Sequence, residues 1–217
     1  MAGSDRAPRQ RLPTAVRVAQ ILEAALQVFS SKGYARSRID DIAEAAGLSK
    51  GGIYTHFTSK EEIFGALLEQ AIEPIQSALT PQPSLEPVTV DVLIRRLVAP
   101  RYESLADPKV VATMRLLLAE GAQAHGVMAR LRQALIEPHM AEMDRLIKRG
   151  VKDGTLRRSV ATRAPQLILS PAIQAMLETV IGGPDPKALV RQRRAHELML
   201  REWLAPCKPT RPAEKSR

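Results

Sequence analysis

The residues of this chain best suited to chemistry lie in SKGGIYTHF, where Ser49, Lys50, Gly51, Gly52, Tyr54, Thr55 and His56 make a polar cluster. The chemistry they offer is recognition. Hydroxyls, an ammonium and an imidazole hydrogen-bond phosphate oxygens and base edges. On a helix turning about 100° per residue, with Ile53 and Phe57 directed inward, Thr55 and Gly51 point most directly outward. Gly52 and Tyr54 flank them, Lys50 leads, and His56 borders the core side. Paired glycines in a first helical turn cost about 1 kcal/mol each relative to alanine. A surface that must be approached closely justifies that cost, and duplex DNA is such a surface. Amides at a helix N-terminus bind phosphate, and small contact residues let a helix sit deep in a groove.

The elements that must position this cluster are legible around it. In SRIDDIAEAAGLSK, Ser37 is expected to cap a helix, with Asp40 reaching back as the capping-box acid. Ile39, Ile42, Ala43 and Ala46 recur at three- and four-residue steps, which gives one apolar stripe. Gly47 follows where a helix ends in a left-handed residue. Ser49 then caps the second helix. Two short helices joined by a glycine turn have the layout of a helix-turn-helix, the motif spanning about 38–57. The alternative is a compact helical subdomain with a polar face and no ligand.

At ILEAALQVFSSKGYARSRIDDIAEAAGLSKGGIYTHFTSKEEIFGALL, residues 21–68, the chain resembles the tetracycline-repressor (TetR/AcrR) family of bacterial transcriptional regulators. A weaker similarity extends through LLLAEGAQ, RGVKDGTLR and LREWL. The resemblance implies an all-α dimer in which an N-terminal three-helix head reads a double-stranded operator. A helical C-terminal body then binds a small-molecule effector and joins the subunits. It also implies that Tyr54 and His56 touch the DNA backbone and that Thr55 meets a base edge or thymine methyl. Tyr54 and Lys60 suit phosphate contacts, and Lys50 suits guanine O6 and N7. Arg38, beside Ser37, is placed to reach either a phosphate or a guanine. Gly52 stands where many relatives carry threonine or alanine, so specificity falls more on Lys50, Thr55 and Arg38.

Composition agrees with an anionic partner. The chain has 217 residues and a formal net charge of +9. Both ends are basic, and the arm before the head lies where it could meet a neighbouring phosphate or minor groove. The expected organisation is a flexible basic arm at 1–13, a helix-turn-helix domain at 14–60, a ligand-binding and dimerisation domain at 61–204 and a flexible basic tail at 205–217. One cysteine, Cys207, excludes an internal disulfide and a cysteine-clustered metal site. MAGSDRAPRQR has no apolar core behind its charges, and the longest uncharged run, Ala164 to Leu177, is too short to span a bilayer. A cytoplasmic protein with no membrane partner is expected.

No strand-like alternation persists, and helix signals divide the chain into nine helices. They start near Thr14, Ser37, Ser49, Ser59, Val88, Asp107, Gly126, Thr162 and Asp185, with interruptions at Pro100 and Pro138. The last two carry Leu167, Ile168, Ile173, Met176, Leu177, Val180 and Ile181, then Leu189, Leu198, Met199, Trp203 and Leu204. That is more apolar surface than one neighbour covers. Two such helices from each subunit would close a four-helix bundle, although burial within one subunit is the alternative.

An effector cavity among the body helices is implied by the resemblance, with Tyr102, Met114, Leu118, His139, Met143 and Met176 placed to line it. Core packing is the competing reading for each. No metal-ligand spacing links the histidines, and no phosphate loop, HExxH or activated nucleophile is present, so no metal, cofactor or catalytic residue is assigned. Within DNA binding, a ligand-released repressor, an activator and an ungated architectural binder remain distinct readings.

Overall fold

The computed structural model describes residues 13–78 and 86–206, and among these every regular element is helical. The arm before Pro13, most of the proline-rich linker and the tail with Cys207 lie outside the described residues. Helix α1 (Thr14–Lys32) ends at Gly33, whose φ of 80° is a conformation glycine adopts freely. Helices α2 (Ile39–Ala45) and α3 (Lys50–Tyr54) follow, joined through Gly47 at φ 64°. Helix α4 (Lys60–Ser77) runs through Pro74 without ending there.

The body is divided more finely than its sequence suggests. Helices α5 (Val90–Leu93) and α6 (Ala99–Ser104) are one expected helix, separated by a π turn at Ile94–Val98. Helices α8 (His125–Leu131) and α9 (Glu137–Lys152) are another, separated by a π turn at Arg132–Ile136. Each π turn ends just before a proline, Pro100 or Pro138. A proline cannot donate the helical hydrogen bond and clashes with the carbonyl four residues earlier. The wider turn passes the donor role to the preceding residue, so that the Ala99 N–H meets Ile94 O and the Glu137 N–H meets Arg132 O. Between these pairs stands α7 (Pro108–Glu120).

The eighth expected helix is also split, into α10 (Val160–Arg163), a 3-10 turn at Pro165–Ile168, and α11 (Ser170–Gly182). Its cap is Ser159, not Thr162; the Ser159 N–H donates to Thr162 Oγ1 at 3.0 Å. Helix α12 (Pro186–Leu204) closes the fold, with Asp185 accepting from the Lys187 and Ala188 amides.

Two apolar clusters hold these helices together. The first joins α1, α2, α3 and α4 and includes Leu116, Val127 and Leu131 from α7 and α8. The second fills the body with Leu93, Leu97, Val98, Met143, Leu146, Ile147 and Leu200. Gly150 permits one close approach inside it, since a Cβ there would lie 2.5 Å from Leu156 Cδ1 and 2.8 Å from Val88 O. Helix α4 starts in the head and packs on α6, α7 and α8, so it joins the head to the body.

Candidate nucleic-acid interface

The α2–turn–α3 unit is held by a shell of specific contacts. Ile42, Ala43, Ala46, Ile53 and Phe57 are buried against Ile21, Ala25 and Phe29 of α1. Gln20 Nε2 donates to Ala46 O at 2.9 Å and ties α1 to the end of α2. The Leu48 N–H donates to Ala43 O at 2.8 Å across the glycine turn. Ser49 Oγ accepts from the Gly52 N–H at 3.1 Å, so Ser49 caps α3 as expected.

The cap of α2 lies one residue later than its sequence suggests. Arg38 is the capping residue, and its N–H donates to Asp41 Oδ2 at 2.8 Å, so Asp41 and not Asp40 is the box acid. Lys32 Nζ, 2.7 Å from Asp41 Oδ1, and the Arg38 amide together hold that carboxyl below the usual range. Ser37 is buried instead, its hydroxyl donating to Gly33 O at 2.7 Å. Its side chain therefore braces the loop and is not presented to a ligand.

Lys60 is also turned inward. Its Nζ donates to Tyr34 O at 2.7 Å, Ser37 O at 3.0 Å and Ala35 O at 3.3 Å, and lies 4.4 Å from the Tyr34 ring centre. Three carbonyls occupy its three N–H donors, so the ammonium fastens the α1–α2 loop where a phosphate contact was expected. Tyr34 continues this brace. It packs with Phe29 and Phe64 and donates to Glu61 Oε1 at 3.1 Å.

What remains outward is a compact face. Arg38, Ser49, Lys50, Gly51, Tyr54 and Thr55 are exposed, while Gly52 and His56 are half-buried at its edge. Tyr54 is 48% exposed although its ring is large and apolar. Thr55 Oγ1 donates to Gly51 O at 3.0 Å, which uses its one hydrogen and leaves the hydroxyl able to accept. Lys50 Nζ lies 3.1 Å from Asp40 Oδ2.

Nothing inside the chain demands glycine at 51 or 52. A Cβ on Gly51 would find its nearest neighbour, Ser49 Oγ, at 4.0 Å, and one on Gly52 would meet the same atom at 3.5 Å. Both are ordinary contacts, and neither residue has the positive φ of Gly33 or Gly47.

Comparison with known proteins agrees with that geometry. The domain pattern described as "Bacterial regulatory proteins, tetR family" matches residues 21–67, which is α1 to the middle of α4. Residues 21–67 therefore carry the domain of this family. It is 24% identical to the transcriptional regulator AcrR of Shigella flexneri over 190 residues, covering 86% of this chain and 88% of that one. Over 55 residues it is 49% identical to TtgR of Pseudomonas putida, covering 25% of this chain and 26% of TtgR. Its match to SrpR of Pseudomonas putida spans 62% of that protein. Among solved structures, a SmeT–triclosan complex superposes with a TM-score of 0.68 at 22% identity, covering 93% of this chain and 100% of that one. The higher identity falls on the head. The TetR-family fold extends over the body as well.

The residues expected to line an effector cavity are dispersed. Tyr102 and Met143 are buried in the body core, and Met114 is buried in a small cluster with Ala71, Val111 and Val180. Met176 packs against both clusters. Leu118 is 52% exposed and belongs to neither cluster. His139 contacts the Arg101 guanidinium, and burial with that neighbouring charge lowers its pKa to about 4. Arg101 and His196 are polar groups of this core that composition did not single out. His196 is 1% exposed, meets the Tyr102 hydroxyl at 3.3 Å through Nδ1, and donates from Nε2 to Ile168 O at 2.7 Å. Among the described residues, no group of three metal-ligating side chains occurs, and no helix is long and apolar enough to cross a membrane.

Proposed function

We propose that this TetR-family regulator is a homodimeric repressor whose α3 enters the major groove of a palindromic operator. The observation that carries the reading is the exposed Lys50–Gly51–Tyr54–Thr55 face, built on two glycines that intramolecular packing does not require. Lys50 is assigned to a guanine edge, Thr55 to a base edge or thymine methyl, and Tyr54 and His56 to phosphates. Arg38 flanks this face from α2. In the proposed division residues 14–60 form the reading head, and 61–204 form the body.

The dimer is assigned to α11 and α12. Ile173, Leu177 and Ile181 recur every fourth residue along α11, and all three are exposed, as are Val190, Leu198 and Trp203 of α12. Ile168, Val180, Leu189 and Leu204 of the same region are covered within the subunit. The remaining stripe suits a four-helix bundle between two copies. A twofold dimer presents its α3 helices about 34–36 Å apart, or farther if the heads splay.

Release is assigned to a small-molecule effector that favours a body conformation with mismatched heads. Differential affinity for the two conformations is what such release requires. Tyr102, Met114, His139, Met143 and Met176 remain the candidate contacts, and Leu118 leaves the set. An activator is the second reading, because FasR of Mycolicibacterium smegmatis, 41% identical over 69 residues, is named an activator. Footprinting on DNA around the chain's own promoter tests the proposal. Protection of an inverted repeat supports it, and uniform low-affinity coating of the fragment refutes it.

A further inference from the structure

We propose that the groove between α9 and α10 binds a di- or triphosphate group, free or carried by a nucleotide. The groove encloses about 720 Å³, within the size range of small-molecule sites. Its rim carries Lys148, Lys152, Arg158 and Arg163, and no carboxylate lines it. Val151 adds an apolar contact to the groove.

The pattern of pairing separates this rim from an ordinary solvated surface. Along the rest of α9 the cations are matched: Arg145 lies 2.7 Å from Glu142, Lys148 2.6 Å from Asp144, and Arg149 3.7 Å from Asp153. Among the described residues, Lys152, Arg158 and Arg163 have no hydrogen-bond or ion-pair partner. Three unmatched cations facing one groove suit several negative charges on one small group. A diphosphate supplies them; a single carboxylate does not.

A second observation points the same way. Ser159 caps α10 and lines the groove, which places a hydroxyl-bearing residue beside the three free cations. The loop that carries Ser159 is already fixed. The Arg157 N–H donates to Leu204 O at 2.8 Å and its guanidinium to Glu202 O, while Thr155 Oγ1 donates to Val88 O at 2.6 Å. Arg158 is therefore held on a pinned loop, and little ordering is needed to bind.

The site does not involve the reading head, so it stands or falls separately from the operator assignment. Calorimetric titration of the full chain at low ionic strength with ADP, pyrophosphate and adenosine tests it. Saturable binding of ADP and pyrophosphate, with adenosine at least about tenfold weaker, is the expected result. ADP binding tighter than pyrophosphate assigns the site to a nucleotide, and equal affinities assign it to the phosphate group alone. Arg158→Ala with Arg163→Ala should weaken both phosphate probes by about tenfold or more, and Ser159→Ala by about threefold or more. The double variant changes only exposed side chains, and Ser159→Ala provides a second reading if its expression is poor. Absence of saturable binding by either phosphate probe, or wild-type affinity in both variants, overturns the proposal.

Discussion

Lys50 Nζ and Asp40 Oδ2 lie 3.1 Å apart and join the outer face of α3 to the first turn of α2. Both side chains are more than half exposed, so this ion pair contributes little to stability, about 0–1 kcal/mol. Its importance is at the interface. An acid this close competes with DNA for the ammonium and itself repels phosphate. Asp40→Ala should raise operator affinity without a change in Tm. Lys50→Ala should lower affinity about fivefold or more, because a guanine contact carries about 1–3 kcal/mol of discrimination. If Lys50 reads a base, the slope of log affinity against log salt stays unchanged in Lys50→Ala. A slope smaller by about 0.9 would assign it to a phosphate instead.

Gly51 and Gly52 predict opposite effects on folding and binding. Alanine at either position meets only ordinary contacts and improves helix propensity by about 1 kcal/mol. Thermal melting should therefore show both variants at least as stable as the natural chain. Gel-shift titration should show weaker operator binding, since the added methyl holds α3 off the groove. Gly51→Ala should be the more damaging, because residue 51 is exposed and 52 is half-buried. Unchanged affinity in both would remove the main support for close approach at this turn.

Lys60 marks where sequence reasoning went astray, and the physical reason is instructive. A lysine after a serine cap looks free to reach phosphate, and only the folded α1–α2 loop reveals three carbonyls gathered around it. Ser37 is a similar case. The pattern around it locates a cap to within one residue, but the Gly33 carbonyl takes its hydroxyl and passes the cap to Arg38. Ser49 and Gly47 were legible because their roles depend only on neighbours along the chain. The apolar periodicity of the last helices could not tell Val180, covered by its own subunit, from its neighbour Ile181, left 82% exposed. Leu118 was placed by its surroundings in sequence, and the direction of its side chain is set by how α7 packs.

Because of that brace, Lys60→Met should act on the head's stability before it acts on affinity. Removal of the ammonium leaves the Tyr34, Ala35 and Ser37 carbonyls without this donor, at a cost of about 1–3 kcal/mol for the set. A lowered Tm, with operator binding recovered at reduced temperature, is the expected outcome. An unchanged Tm with weakened, less salt-dependent binding would return Lys60 to a phosphate role.

His139 sets a pH dependence in the body. Its folded pKa is lowered to about 4 by burial and by Arg101, against about 6.5 in an unfolded chain. The unfolded state therefore takes up a proton that the folded state refuses. Stability is full above about pH 6.5 and declines as pH falls toward 4. His196, also lowered by burial, adds in the same direction. The His139→Gln variant keeps an acceptor for Arg101 but cannot titrate. Between pH 7 and 5 its Tm should fall less than that of the natural chain, and parallel declines would refute the assignment.

Ile181 tests the assembly. It is 82% exposed on the stripe with Ile173 and Leu177, so aspartate there loses almost nothing within the subunit. Within a four-helix interface the same carboxylate would be buried without a partner, which costs several kcal/mol. Light scattering should show Ile181→Asp as a folded monomer with the same helix content and a Tm that no longer depends on protein concentration. Operator affinity should fall steeply, because one head alone contacts half a palindrome. Leu198→Glu should behave alike from the α12 side, where the residue is 60% exposed. A dimer that survives both changes would place the contact between subunits on another face.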